Sequence, residues 1–295
     1  KLHSVYRHNN QYIKQEVPLP PDVEVSALVG KNRELWIASS DGQIFSYYDG
    51  YLKQELAKNN ELGFVYHLMA SKQDIWVFQN PPNSDYVGIY QFDRGTLKHW
   101  GAESGFISRV VSGTVASDSL YYFGAQGNMS YLYTFNPITE EVVNISKTLP
   151  FQPNKPLEVF DVAVNFNGDV LMGTTEGLLK YDKEEKKVTR VHLGENYTYG
   201  DITAINILPD SSIWLSTKIF GLIRIHHKDF AIFDESSGLT IKSFNPRAML
   251  MDNEGYLWMG TPQGIEISQI PFPDPKPTNQ PMVVYITGGN DQLRN

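Results

Sequence analysis

Short runs in which every second residue is apolar recur along the chain. "FDVAVNF" (160–166) and "ITAINIL" (202–208) are clear cases. Each is followed by a polar turn and then a more continuously apolar run, "DVLMGT" (169–174) or "SSIWLST" (211–217). Alternation with a period of two puts one face of a strand in a core and the other among polar neighbours. No stretch carries the spacing of an amphipathic helix. A glycine then opens a third run, at Gly42, Gly88, Gly177, Gly221 and Gly264. A more polar fourth run closes the set, as in "KKVTRV" (186–191) and "DFAIF" (229–233). The pattern predicts units of four antiparallel strands joined by short turns.

The units repeat. The second run of each holds one large residue, at Trp36, Trp76, Tyr121, Leu171, Trp214 and Trp258, with separations of 40, 45, 50, 43 and 44 residues. A four-stranded unit is too small to cover both of its own faces, so such units stack around an axis with the large residue wedged between neighbours. The expected fold is all-β: a β-propeller of six recognisable four-stranded blades plus a half blade at the N-terminus. Residues 1–17 read as the back half of a first blade, since "LHSVYRHNNQYIKQEV" parallels "LIRIHHKDFAIFDE". Residues 18–271 read as the blades. The simplest closed ring has seven, with the missing strands upstream of Lys1, so the chain reads as a processed product or a piece of something longer. Residues 272–295 read as a Pro-rich linker, within "PFPDPKPTNQP", followed by the first strand of another β domain, "PMVVYITGG".

The last hairpin, "EGYLWMGTPQGIEIS" (254–268), follows Asp252 and fits D-x-x-G-x-L-W-x-G-T-x-x-G-[LI] through Asp252, Gly255, Leu257, Trp258, Gly260, Thr261, Gly264 and Ile265. This pattern resembles the two-component regulator propeller repeat. The copy at 168–179 keeps Gly168, Gly173, Thr174, Gly177 and Leu178 but has Leu171 for Trp. The copy at 211–222 keeps Trp214, Thr217, Gly221 and Leu222, with Ser216 for Gly. The second and third units match weakly, and residues 80–86 form an insertion. The resemblance implies the periplasmic sensor region of a hybrid two-component histidine kinase of Bacteroides-type bacteria. It implies an Ig-like (Y-Y-Y type) domain beginning near 281, a transmembrane helix and kinase outside this chain, and a homodimeric parent. It also implies a response to glycan fragments that controls polysaccharide-utilisation genes.

Composition narrows the alternatives. Lys plus Arg number 25 against 33 Asp plus Glu, a net charge of −8, which argues against a nucleic-acid surface. There are no cysteines, so disulfides, thiolate metal sites and a Cys nucleophile are excluded. No apolar run reaches the roughly 20 residues of a spanning helix. The seven histidines show no metal-binding spacing, and "HH" (226–227) reads as a turn. No nucleophile elbow or phosphate loop occurs. Glu140-Glu141 and Glu184-Glu185 read as solvated hairpin tips, and Asp252 as a turn-closing side chain. No catalytic residue, metal or cofactor is assigned.

A ligand is expected at the face built by second-to-third strand turns and by the loops leading into innermost strands. The turns hold Asp41, Asn80, Gln126, Glu176, Lys218, Phe220 and Gln263; the loops hold Ser108, Asp201, Asn245 and Arg247. Saccharide recognition needs planar hydrogen-bonding groups beside an aromatic face. Lys218, Phe220, Asn245, Arg247, Gln263 and Asp201 come from adjacent units and supply that mixture. Two other readings remain at this point: a propeller enzyme (lyase or glycoside-acting hydrolase), or a structural or protein-docking scaffold.

Overall fold

The computed structural model describes residues 2–8, 11–80, 87–93, 95–127, 129–149, 153, 155–192, 200–227, 229–252, 255–269 and 282–287. The described residues form 26 strands and three short 3-10 turns. A two-stranded ribbon, β1 (His3–His8) and β2 (Gln11–Glu16), comes first. Then follow β3 (Val25–Lys31), β4 (Glu34–Ser39), β5 (Ile44–Tyr48) and β6 (Tyr51–Leu56), and next β7 (Phe64–Ala70), β8 (Ile75–Asn80), β9 (Ile89–Asp93) and β10 (Thr96–Trp100). The third set is β11 (Val110–Ser117), β12 (Leu120–Gly127), β13 (Leu132–Asn136) and β14 (Glu141–Asn144). The fourth is β15 (Leu157–Val164), β16 (Val170–Thr174), β17 (Gly177–Asp182) and β18 (Lys187–Arg190). The last two are β19 (Ile202–Ile207), β20 (Ile213–Thr217), β21 (Leu222–His226) and β22 (Asp229–Phe233), then β23 (Met249–Met251), β24 (Tyr256–Thr261), β25 (Gly264–Gln269) and β26 (Met282–Thr287).

Six separate blades are not what forms. Four of these sets are separate four-stranded sheets, while the third and fourth join into one eight-stranded sheet. The join is made by Gln126 and Gly127 of β12 pairing with Glu158 and Leu157 of β15. The paired residues are the last two of β12 and the first two of β15. A second difference concerns β26. The sequence pattern sets Met282–Thr287 beyond a linker as the opening of a further domain, whereas here it pairs antiparallel with β25 as the fourth strand of the last sheet. The 80–86 insertion beyond Asn80 and the Pro-rich stretch 271–281 lie outside the described residues.

The chain divides into two compact units: Lys1–Tyr121 with Thr134–Asn144, and Tyr122–Tyr133 with Ile145–Asn295. In the first, Trp36 packs against the buried cluster that includes Ala38, Ile44, Leu68, Ile75 and Phe92, drawn from the β3–β6 and β7–β10 sheets. Trp76 is fully buried and meets Trp100, Tyr121 and Phe135 at ring separations of 6.4, 6.1 and 5.0 Å. In the second, Leu171 packs with Ile202, Leu215 and Ile223, and Trp214 with Phe244, Leu257 and Met259. The large second-strand residue therefore fills the gap between consecutive sheets in both units.

The motif's small residues have matching physical reasons. A Cβ on Gly221 (φ +82) would lie 2.1 Å from the Phe233 carbonyl oxygen, because the fourth strand's end crosses there. The threonine ending the second strand closes the turn. Its hydroxyl donates to the carbonyl of the following glycine, from Thr174 to Gly177 at 2.7 Å, Thr217 to Gly221 at 2.9 Å and Thr261 to Gly264 at 3.1 Å. Four first strands share a further feature, a bulge against the second strand, between Val25 and Ala27, Val65 and His67, Val159 and Asp161, and Ile202 and Ala204.

Candidate ligand-binding site

The six candidate residues all fall in the second unit, but they do not form one group. Asp201, Lys218 and Phe220 come together. Lys218 donates its backbone N–H to the Asp201 carbonyl at 3.0 Å, and its ammonium lies 3.5 Å from the Asp201 carboxylate. The Phe220 ring lies over Gly200, where a Cβ would come within 2.8 Å of it. The Phe220 N–H is held by the Thr217 hydroxyl at 2.7 Å, so the turn is fixed while Lys218, Ile219 and Phe220 face solvent. An ion pair this exposed contributes at most about 1 kcal/mol, which leaves Lys218 free to exchange Asp201 for a ligand.

Arg247 sits elsewhere. Its backbone is left-handed (φ 58), its N–H donates to the Thr203 carbonyl at 2.9 Å, and its guanidinium donates to the Phe160 carbonyl. Beside it lies Asp161, at the bulge of β15. The Asp161 carboxylate accepts the Ile205 N–H at 2.8 Å and the Val162 N–H at 2.9 Å. Burial pushes its carboxyl up to about 6, although those hydrogen bonds and the Arg247 charge pull the other way. Part of the residue's surface stays accessible, but its carboxylate oxygens point into the protein. Arg247 therefore joins the loop before β23 to β19 and β15, and acts as a clasp.

Asn245 and Gln263 are exposed, and their main chains are tied by Asn245 N–H to the Gly260 carbonyl at 2.9 Å and Gln263 N–H to the Thr261 hydroxyl at 3.2 Å. Among the described residues no hydrogen bond joins either side chain to the Lys218 turn. Three further loop polars are engaged internally: Asp41 with Ser39 and Gln43, Asn80 with Arg109, and Glu176 with Arg190. The Ser39 hydroxyl, as the largest influence, holds Asp41 below the usual carboxylate range.

The acidic pairs Glu140-Glu141 and Glu184-Glu185 are exposed at hairpin tips, and His226 and His227 lie at the β21–β22 turn. Asp252 accepts the Tyr256 N–H at 2.9 Å and also the Trp258 indole N–H at 2.8 Å. Among the described residues no group of three or more His, Asp or Glu side chains could hold a metal, and no helix is long and apolar enough to cross a membrane. Asp161 belongs to none of the sequence motifs. An acid inside the alternating run "FDVAVNF" was the available signal, since an Asp on an innermost strand needs buried partners.

No protein-family profile matches the chain, and no curated protein does. Solved structures do. The extracellular domain attributed to the hybrid two-component system BT3049 of B. thetaiotaomicron superposes with a TM-score of 0.65 at 19% identity, over 89% of this chain and 36% of that one. The chain shares its fold. The extracellular domain attributed to BT4673 of the same organism matches with a TM-score of 0.54 at 17% identity, over 88% and 41%. A structure of YCF48 bound to D1 peptide gives 0.59 at 12% identity, over 88% and 82%. The chain thus spans well under half the length of the two-component domains, in a β-propeller-like arrangement of blades. The likeness at these identities is one of fold.

Proposed function

We propose that this chain is a ligand-sensing propeller module from the periplasmic region of a hybrid two-component sensor histidine kinase, with a homodimeric parent. The observation that carries the reading is its superposition over 89% of its length on the extracellular domain attributed to BT3049. The repeat motif ending at Ile265 points the same way. The module is not an enzyme on this reading. Its ligand is an oligosaccharide, met at the β20–β21 turn by Lys218, Asp201 and the Phe220 ring. Asn245 and Gln263 on neighbouring loops extend the surface, and the parent responds by controlling polysaccharide-utilisation genes. For a signal to pass, the ligand must bind two arrangements of the sensor unequally.

Calorimetry with a panel of glycan fragments tests this. At least one fragment is expected to bind without being cleaved, and Lys218→Ala to weaken it roughly tenfold, as for loss of a charged hydrogen bond. A panel in which nothing binds, or cleaved product after prolonged incubation, overturns it. A second reading, docking of a protein segment, draws on the exposed Ile219 (59%) beside Phe220. Binding of extended peptides but no glycan would favour it.

A further inference from the structure

Glu266 stands where other sheets bury an apolar side chain. One place past the large wedge residue, Ile37, Val77, Met172 and Leu215 pair with Phe45, Tyr90, Leu179 and Ile223 of the third strands. In the last sheet the corresponding pair is Met259 with Glu266. Residues paired across a sheet share a face, and Met259 packs with Trp214, Leu239 and Phe244. Glu266 therefore faces the preceding sheet and the loop that joins β22 to β23. It has no accessible surface, and one of its carboxylate oxygens has no hydrogen-bond partner.

The loop it meets is built as a strap. Leu239 and Phe244 are buried and pin its ends, while Thr240 and Lys242 between them are exposed. On one side Thr240 donates its N–H to Glu266 at 3.1 Å, and its hydroxyl donates to the same oxygen. On the other, the Lys242 carbonyl accepts the Gly221 N–H at 3.1 Å. Gly221 closes the β20–β21 turn directly after Phe220. The strap thus links a buried acid to the Lys218–Phe220 turn. Charged side chains on the surrounding elements are engaged elsewhere: Lys242 with Glu235 at 3.2 Å, Lys218 with Asp201 at 3.5 Å, Arg224 with Asp210 at 3.9 Å, and Arg247 with the Phe160 carbonyl. Asp234 accepts the Ser236 N–H at 2.8 Å, and the cross-strand neighbours of Glu266 are Met259 and Tyr285.

We propose that Glu266 is a pH-dependent latch on this strap, closed while the acid is neutral and released when it ionises. A neutral acid accepts from Thr240 with one oxygen and tolerates dry surroundings at the other. Ionisation strengthens the Thr240 bonds but leaves a charged oxygen without a donor. Lifting the partly exposed strap admits water to that oxygen, whereas any other route opens the packing of Leu239, Phe244 and Met259. Burial pushes the carboxyl up from 4.5 to about 7, against the pull of the Thr240 and Ile241 N–H groups, so the closed strap prefers the neutral acid even with those bonds made. Closure is favoured most below about pH 4.5. As pH rises to about 7 the balance tilts toward the open strap by up to roughly 300-fold. Opening releases the Gly221 N–H and loosens the turn. Any effect on a ligand at Lys218 rests on the function proposed above; the latch itself does not.

The test is hydrogen–deuterium exchange of the full chain, read by mass spectrometry from about pH 5 to about pH 8.5 and corrected for the intrinsic exchange rate. No ligand is added, so the latch and the ligand reading can fail separately. Protection of peptides covering 239–244 and 218–222 falls at least roughly tenfold across this range, and by more than that of peptides covering β16 and β17. In Glu266→Gln it stays level. Thr240→Val removes one donor to the carboxylate at an exposed position and moves the fall to higher pH, which decides the matter should Glu266→Gln not fold. Level protection in the wild-type chain, a fall of equal size in β16 and β17, the same fall in Glu266→Gln, or a Thr240→Val profile identical to the wild type overturns the proposal.

Discussion

Glu266 is a carboxylic acid with no accessible surface, on β25 of the last sheet. One of its oxygens accepts the Thr240 N–H at 3.1 Å and the Thr240 hydroxyl; the other has no hydrogen-bond partner. Burial pushes its carboxyl up to about 7 from an ordinary 4.5. At about 1.4 kcal/mol per tenfold, holding the proton that far above its usual range amounts to roughly 3 kcal/mol. The sign follows from proton counting. Between about pH 4.5 and about pH 7 the native protein keeps the proton that the unfolded chain has released, so its stability is greatest below this window. It falls as pH rises through the window and levels off above it. Glu266→Gln keeps an acceptor for Thr240 and removes the titration. It also places an amide donor where no acceptor waits, at a pH-independent cost of about 1–3 kcal/mol. The decisive quantity is therefore the slope. Urea unfolding followed by tryptophan fluorescence, at several values from about pH 4.5 to about pH 8, gives the variant-minus-wild-type difference. That difference should rise by about 2–3 kcal/mol across the window. Parallel stability curves would refute the argument.

Two further perturbations follow from the same structure. Gly221→Ala places a Cβ against the Phe233 carbonyl and strains a left-handed backbone, so a loss of at least about 1–2 kcal/mol is expected in chemical denaturation, whereas Gly30→Ala, with open space around it, should cost well under half of that. Arg247→Met removes the cation beside Asp161, and carboxyl-carbon NMR should show the Asp161 midpoint moving upward from about 6; a midpoint that stays put would mean the two charges do not interact.

The parts of this fold that a linear pattern conveys are those set by single residues acting locally. Trp76, Leu171 and Trp214 lie where their spacing puts them, because each blade faces the same packing problem. Thr217 and Gly221 were legible for a related reason: a turn of fixed geometry needs a hydroxyl at one place and no Cβ at another. What was not legible depends on tertiary approach. The β12–β15 join rests on two residue pairs whose meeting no local propensity encodes. Arg247 read as a ligand-facing cation, since nothing in "NPRAML" reveals that a carbonyl from residue 160 lies within its reach.

Stacked repeats usually couple each module to the next alone, and they melt from an end inward. The clasp at Arg247 departs from that rule, because a side chain before β23 reaches past the β19 sheet to a carbonyl on β15. The final sheet cannot fray without releasing a bond two modules away. Within the second unit, unfolding should therefore resemble the collapse of a keystoned arch more than the unravelling of a row.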